Sequence, residues 1–284
     1  MSTEIADPLV TTDWLADHLT APDVRIVDAS WFMPSTGRDA RAEFSAQHIP
    51  GAVFFDIDEI ADTDQSLPHM LPSPVKFSSR VQKLGLGDGS RIIVYEAPGS
   101  FGAARVWWTF RVMGHADVKV LDGGLAKWLA EGRPVDDRPP SPSPRHFTAR
   151  RDADLVRDLA QMRRIVAMGQ DQVLDARAAA RFRGEAPEPR EGLRSGHMPG
   201  AFNLPVGEVF HADGVMKSAD ELRPVFERAG LDLARPIVTT CGSGITASVL
   251  ALALFRLGIS RVPVYDGSWT EWGALADAPI SVGA

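Results

Sequence analysis

Cysteine is nearly absent: Cys241 is the only one in 284 residues. An intrachain disulfide is therefore excluded, and no pair or quartet of Cys and His has metal-ligand spacing. Long apolar runs are missing too, none reaching the ~18 residues of a membrane span. Basic charge is in deficit, with 30 Lys and Arg against 37 Asp and Glu and a net charge of −7. That balance leaves no basic surface to bind a nucleic acid or an anionic membrane through counterion release. Met1–Asp7 has neither a basic n-region nor an apolar h-region, so a cytoplasmic, reducing location is expected. No cofactor or metal is indicated, and the expected state is a monomer or weak oligomer.

What is present centres on the lone thiol. Cys241 opens the loop Cys241-Gly242-Ser243-Gly244-Ile245-Thr246, between the apolar run Pro236–Thr240 and a helical run from Ala247 to Leu257 that stops at Gly258. The first run reads as a buried strand and the second as a buried helix. The two loop glycines let the chain curl, so that backbone amides from Gly242 to Ala247 can face the sulfur at a helix N-terminus. Most free cysteines are inert and buried inside an element. One at a glycine-flanked strand-to-helix turn is placed for chemistry.

The chain contains itself twice. Arg25-Ile26-Val27-Asp28-Ala29 matches Gln172-Val173-Leu174-Asp175-Ala176, and His48-Ile49-Pro50-Gly51-Ala52 matches His197-Met198-Pro199-Gly200-Ala201. Leu121-Asp122-Gly123-Gly124 matches Tyr265-Asp266-Gly267-Ser268, in the same order. Ordered blocks at nearly constant spacing signal duplication. Strand-like runs such as Arg91–Tyr95 and Val118–Leu121 alternate with helical stretches such as Ala103–Met113, the pattern of βαβ units. The fold class is therefore α/β, with two similar domains, each a mostly parallel sheet flanked by helices. Prolines crowd Arg133–Pro144 and exclude helix there. The expected division is an N-terminal domain 1–138, a Pro-rich linker 139–153 and a C-terminal domain 154–284. Aligning Ile92–Tyr95 with Ile237–Thr240 puts Glu96 opposite Cys241, so only the second copy keeps the nucleophile. Ligands of open α/β sheets bind at the carboxyl ends of the strands, where Cys241 lies. The first domain then serves as a wall of that site.

Asp28-Ala29-Ser30-Trp31, Gly37-Arg38-Asp39-Ala40-Arg41, His48–Ala52, Phe54–Asp58, Arg105-Val106-Trp107-Trp108 and Leu121–Gly124 follow one another as a series. With the cysteine loop, they make nearly the whole chain resemble the two-domain rhodanese family of sulfurtransferases. Within it, the Cys-Gly-Ser-Gly-Ile-Thr loop looks like the 3-mercaptopyruvate branch, whereas the thiosulfate branch carries an Arg-Lys pair after the cysteine. The chemistry agrees with that split. Thiosulfate is a dianion that wants cations beside the transferred sulfur, and this loop has none. Mercaptopyruvate carries its carboxylate at the other end, so its cations should be displaced from the nucleophile. Candidates are Arg177, Arg181, Arg183, Arg190 and Arg194. The resemblance picks out Arg181 and Arg190, whose planar forks can grip a carboxylate.

The resemblance also implies a persulfide on Cys241, with loop residues Gly242, Gly244, Ile245 and Thr246 binding substrate and Ser243 in a proton relay with Asp58 and His69. The acceptor is expected to be a thioredoxin-like dithiol protein, a small thiol or cyanide. His48 and His197 recur in both copies and read as structural; Asp28, Asp122, Asp175 and Asp266 recur and read as turn caps. Four alternatives stay open: a thiosulfate sulfurtransferase, a non-enzymatic sulfur-relay module, a dinucleotide-binding enzyme using the Gly242–Ala247 glycine pattern, and a cysteine phosphatase. The last lacks an arginine closing the loop. For the dinucleotide reading, only 18 residues follow Asp266, too few for the remaining strands.

Overall fold

The computed structural model describes residues 7–283; Met1–Ala6, on which the leader reading chiefly rests, and Ala284 lie outside the described residues. Among the described residues ten strands form two five-stranded sheets. In the first, β1 (Leu9–Val10), β2 (Val24–Asp28), β3 (Val53–Phe54), β4 (Arg91–Tyr95) and β5 (Val118–Leu121) lie in the order β1-β5-β4-β2-β3. In the second, β6 (Val156–Arg157), β7 (Gln172–Asp175), β8 (Phe202–Asn203), β9 (Ile237–Thr240) and β10 (Val264–Tyr265) lie in the order β6-β10-β9-β7-β8. Every pairing is parallel. This is the α/β class expected, and the sheets repeat one topology. Registers agree as well: Arg25 pairs with Ile92 as Gln172 pairs with Ile237.

β4 and β9 are the middle strands of their sheets, with Ile92–Tyr95 and Ile237–Thr240 buried throughout. Runs apolar on both faces suit a parallel sheet covered by helices on each side. Each middle strand feeds a helix through a short loop, of six residues before Gly102–Val112 after β4 and of four before Ile245–Arg256 after β9. The second helix starts two residues before the expected Ala247, because Gly244 turns the chain with a φ of 82°. It is rich in Ala and Leu and buried around most of its circumference, as a central helix must be.

These two helices pack on each other across the boundary between the sheets. Trp107, Trp108, Val249 and Leu252 share one apolar core drawn from both halves, with Trp107 edge-on to Phe255 at 5.5 Å. An interface continuous with the core ties the halves into one body. Residues 139–153 have almost no regular structure, yet Phe147 is buried against Phe77 and Phe110 at ring distances of 5.5 and 5.9 Å. Prolines prevent a helix there but do not prevent packing, so the segment lines the first unit instead of tethering freely. Among the described residues no helix is long and apolar enough to cross a membrane.

Candidate active site

Cys241 sits one residue beyond β9, buried at 2 % exposure. Of the amides expected to face its sulfur, the N–H of Gly244 does so, 3.2 Å from Sγ. Ser268 and Thr270 brace the loop from below. The amide of Cys241 donates to Ser268 Oγ (3.3 Å), and the N–H and hydroxyl of Thr270 both donate to the Gly242 carbonyl (2.9 and 2.6 Å). Ser268 holds a φ of 49°, the region that its counterpart Gly124 occupies at 53° without a side chain to strain. Sequence comparison missed both braces; the repeated Asp-Gly-Gly and Asp-Gly-Ser blocks were the available signal.

Arg181 and Arg190 converge on the loop. A β-carbon at position 242 would lie 3.3 Å from Arg181 Nη2 and 3.9 Å from Arg190 Nη1, so the glycine leaves room for both guanidinium groups. Distant in sequence, these cations are next to the loop in space. Arg181 is held by Glu188, Nη2 to Oε2 at 2.5 Å. Arg190 forms no ion pair among the described residues, its nearest polar partner being His69 Nε2 at 3.5 Å. Burial pushes its guanidinium down, opposed by the charge of Cys241, with Arg181 lowering it further. The other three arginines are engaged elsewhere. Arg177 is buried between Asp175 and Glu188 and lies over Trp269; Arg183 pairs with Glu185; Arg194 caps the carbonyls of Gly273 and Ala278.

From the first domain, His69 enters with its Nδ1 2.8 Å from Asp58 Oδ1, close enough for an ion pair though off the angle of a well-aligned hydrogen bond. Trp31 Nε1 donates to the other Asp58 oxygen at 2.9 Å and stands edge-on to the His69 ring. Burial pushes the imidazole below its usual range, and Asp58 opposes that shift. Burial would raise the Asp58 carboxyl, but His69, Trp31 and Arg190 outweigh it and hold the group low. The pair is thus set as neutral imidazole and carboxylate at neutral pH. His69 also has a φ of 62°, unusual for a non-glycine residue.

The remaining candidates divide, some where expected and some not. Ser243 is buried in the loop, but no hydrogen bond joins it to His69 or Asp58 among the described residues; His69 faces Arg190 instead. The Ile245 side chain belongs to the central core, so only its backbone can serve substrate. Thr246 is half-buried at the start of the helix, and Gly244 leaves room for Arg105. Asp28 and Asp175 do cap turns, through the amides of Ser30 and Arg177. Asp122 and Asp266 do not; they reach across the interface to the amides of Met216 (2.9 Å) and Leu71 (2.8 Å), because each lies at a strand end facing the other unit. His48 and His197 are structural, each with Nδ1 2.8 Å from a carbonyl, of Phe44 and Phe182 respectively. No cluster able to hold a metal occurs among the described residues.

The Rhodanese-like domain family model matches residues 11–131 and 158–275. The human protein named 3-mercaptopyruvate sulfurtransferase is 41 % identical over 277 residues, covering 95 % of this chain and 93 % of that one. A Cricetulus griseus thiosulfate sulfurtransferase is 43 % identical over 271 residues, covering 93 % and 91 %. Among solved structures, the 3-mercaptopyruvate sulfotransferase SseA from Escherichia coli superposes with a TM-score of 0.85 at 38 % identity, over 92 % of this chain and 98 % of that one.

Proposed function

The chain belongs to the rhodanese-like family, and from that premise we propose that it is a 3-mercaptopyruvate sulfurtransferase. The observation that carries the reading furthest is Arg190, a half-buried guanidinium without a carboxylate partner among the described residues, turned toward the cysteine loop and beside His69. A small keto acid bearing sulfur at one end and a carboxylate at the other spans that arrangement. The loop itself has no Lys or Arg, unlike the Arg-Lys pair expected of the thiosulfate branch, and its neighbouring cations come from Arg181 and Arg190 outside it.

The Cys241 thiolate attacks the substrate sulfur, forming an S–S bond as the S–CH₂ bond breaks and its electron pair leaves with pyruvate as the enolate. The substrate thiol proton must reach the enolate carbon. Neutral His69, oriented by Asp58, is the group to take and return it. Arg190 and Arg181 hold the substrate carboxylate, and Gly244 N–H stabilises the charged sulfur. In the second half, an acceptor thiolate attacks the outer persulfide sulfur and releases Cys241 as thiolate. A thioredoxin-like dithiol, a small thiol or cyanide fits this role. A reducing compartment such as the cytoplasm suits a thiol that has no partner in its own chain.

The test is a parallel measurement with both donors. Intact mass after mercaptopyruvate, without acceptor, should rise by one sulfur on Cys241, and kcat/KM should favour mercaptopyruvate over thiosulfate by at least about tenfold, or ~1.4 kcal/mol. Equal or reversed preference moves the protein to the thiosulfate branch; no added sulfur with either donor overturns the enzyme reading.

A further inference from the structure

Where the second half holds Cys241, the first half holds Glu96, and the places of Asp58 and His69 are taken by glycines. Asp58 is the fourth residue after β3, as Gly207 is the fourth after β8. His69 lies four residues before the helix cap Ser73, as Gly214 lies four before the cap Ser218, and both hold a left-handed φ, of 62° and 82°. A β-carbon at position 207 or 214 would meet nothing within 4 Å. The missing side chains leave a cavity of about 320 Å³ between the halves, with Glu96 at its wall and Phe101, Phe210, Met216, Val249 and Leu252 around it. That volume suits a small molecule.

The polar groups of the cavity select one sign of charge. Glu96 Oε2 takes the Ala103 amide and the Ser100 hydroxyl at the helix entrance, so the place where an anion would sit is filled. Glu96 Oε1 has no hydrogen-bond partner among the described residues. Asp122 and Asp213 line the cavity as well, and none of these three carboxyl groups belongs to an ion pair among the described residues. The cations nearby each lie within ion-pair distance of another acid: Arg38 of Glu43, Lys127 of Glu131, His211 of Glu221 and Arg256 of Asp7. Acid is therefore in excess. The rings of Phe101 and Phe210, 6.3 Å apart, add faces on which a positive charge is attracted.

We propose that this cavity is a second ligand site, separate from the Cys241 loop, and that it takes a small organic cation, an amidinium or ammonium on an apolar body, against Glu96. Sulfur transfer is not needed for it.

Benzamidine, which stays cationic through the neutral range, and benzamide, its neutral isostere, are titrated into the full-length protein by calorimetry. One equivalent of benzamidine should bind with a Kd of about 1 mM or tighter, and benzamide at least about tenfold more weakly. Burial raises the Glu96 carboxyl to about 8, and the charge of Asp28 on β2 adds to the effect. Asp122 after β5 and His211 and Asp213 on the facing loop are the other titratable groups around the cavity. A bound cation favours the ionised carboxyl, so affinity should rise about tenfold from about pH 6.5 to about pH 8.5, with release of a proton on binding.

Glu96→Gln keeps the shape and removes the charge. Benzamidine should then bind at least about tenfold more weakly and lose most of the pH dependence, while kcat for sulfur transfer stays at the wild-type value. Ala126→Trp, at an exposed helix position on the rim, should weaken both probes by closing the mouth. The proposal is overturned by the lack of saturable benzamidine binding at the higher pH, by equal affinity for benzamide, or by undiminished binding in Glu96→Gln.

Discussion

Glu96 and Cys241 occupy the same place in the two halves. The N–H of Leu125 donates to the Glu96 carbonyl at 2.9 Å, as the N–H of Trp269 donates to the Cys241 carbonyl at 2.9 Å. In the first half the Glu96 carboxyl group, not a thiol, turns into the helix entrance, where it accepts the amide of Ala103 at 2.9 Å and approaches the Ser100 hydroxyl at 3.3 Å.

Burial pushes the Glu96 carboxyl up to about 8, so it is protonated at neutral pH. A carboxyl raised in the folded state contributes stability that is complete below its unfolded value and is lost as pH rises toward 8. Glu96→Gln should flatten that decline, gaining about 2 kcal/mol relative to wild type between pH 5 and pH 9. The full conversion of the shift would be larger, but Glu96 borders a cavity of about 320 Å³ and keeps some access to water. Urea unfolding at both pH values measures this; parallel curves for the two proteins contradict it.

Cys241→Ser should abolish turnover and the added sulfur mass while changing unfolding free energy by less than about 2 kcal/mol. The hydroxyl is nearly isosteric and can accept the Gly244 amide as sulfur does. Turnover at the wild-type rate would rule out the covalent mechanism.

Arg190→Ala should lose roughly 2–5 kcal/mol of transition-state binding, read as kcat/KM, and Arg190→Lys should recover part of it. Arg181→Ala should lose less. Arg181 divides its guanidinium between the site and Glu188, which Arg177 continues to pair at 2.7 Å once Arg181 is gone. Equal kcat/KM in wild type and Arg190→Ala would send the search for the carboxylate partner elsewhere.

Asp58→Asn removes a charge that raises the imidazole of His69 against the effect of burial. Without it the imidazole falls further, so the acid limb of kcat/KM should move to lower pH. A limb that stays in place would mean that His69 does not carry the titrating proton.

The repeated blocks, the alternation of strand and helix and the glycine-flanked cysteine were legible in the chain itself, because each depends on local backbone preference and apolar period. Two parallel sheets and a first copy without the thiol followed from them. Arg181 and Arg190 were singled out among five arginines by family resemblance; no local pattern separates them from Arg177, which folding buries between Asp175 and Glu188. Nor does composition tell turn-capping Asp28 from Asp266, whose partner Leu71 is 195 residues away. The positive φ of His69 and the meeting of Arg105 with Gly244 belong to the same class. Such features arise where segments remote in sequence are pressed together by a shared core. The tertiary structure decided them because an ion pair or a strained backbone is set by the neighbours that surround it, and those neighbours exist only after the two halves have packed.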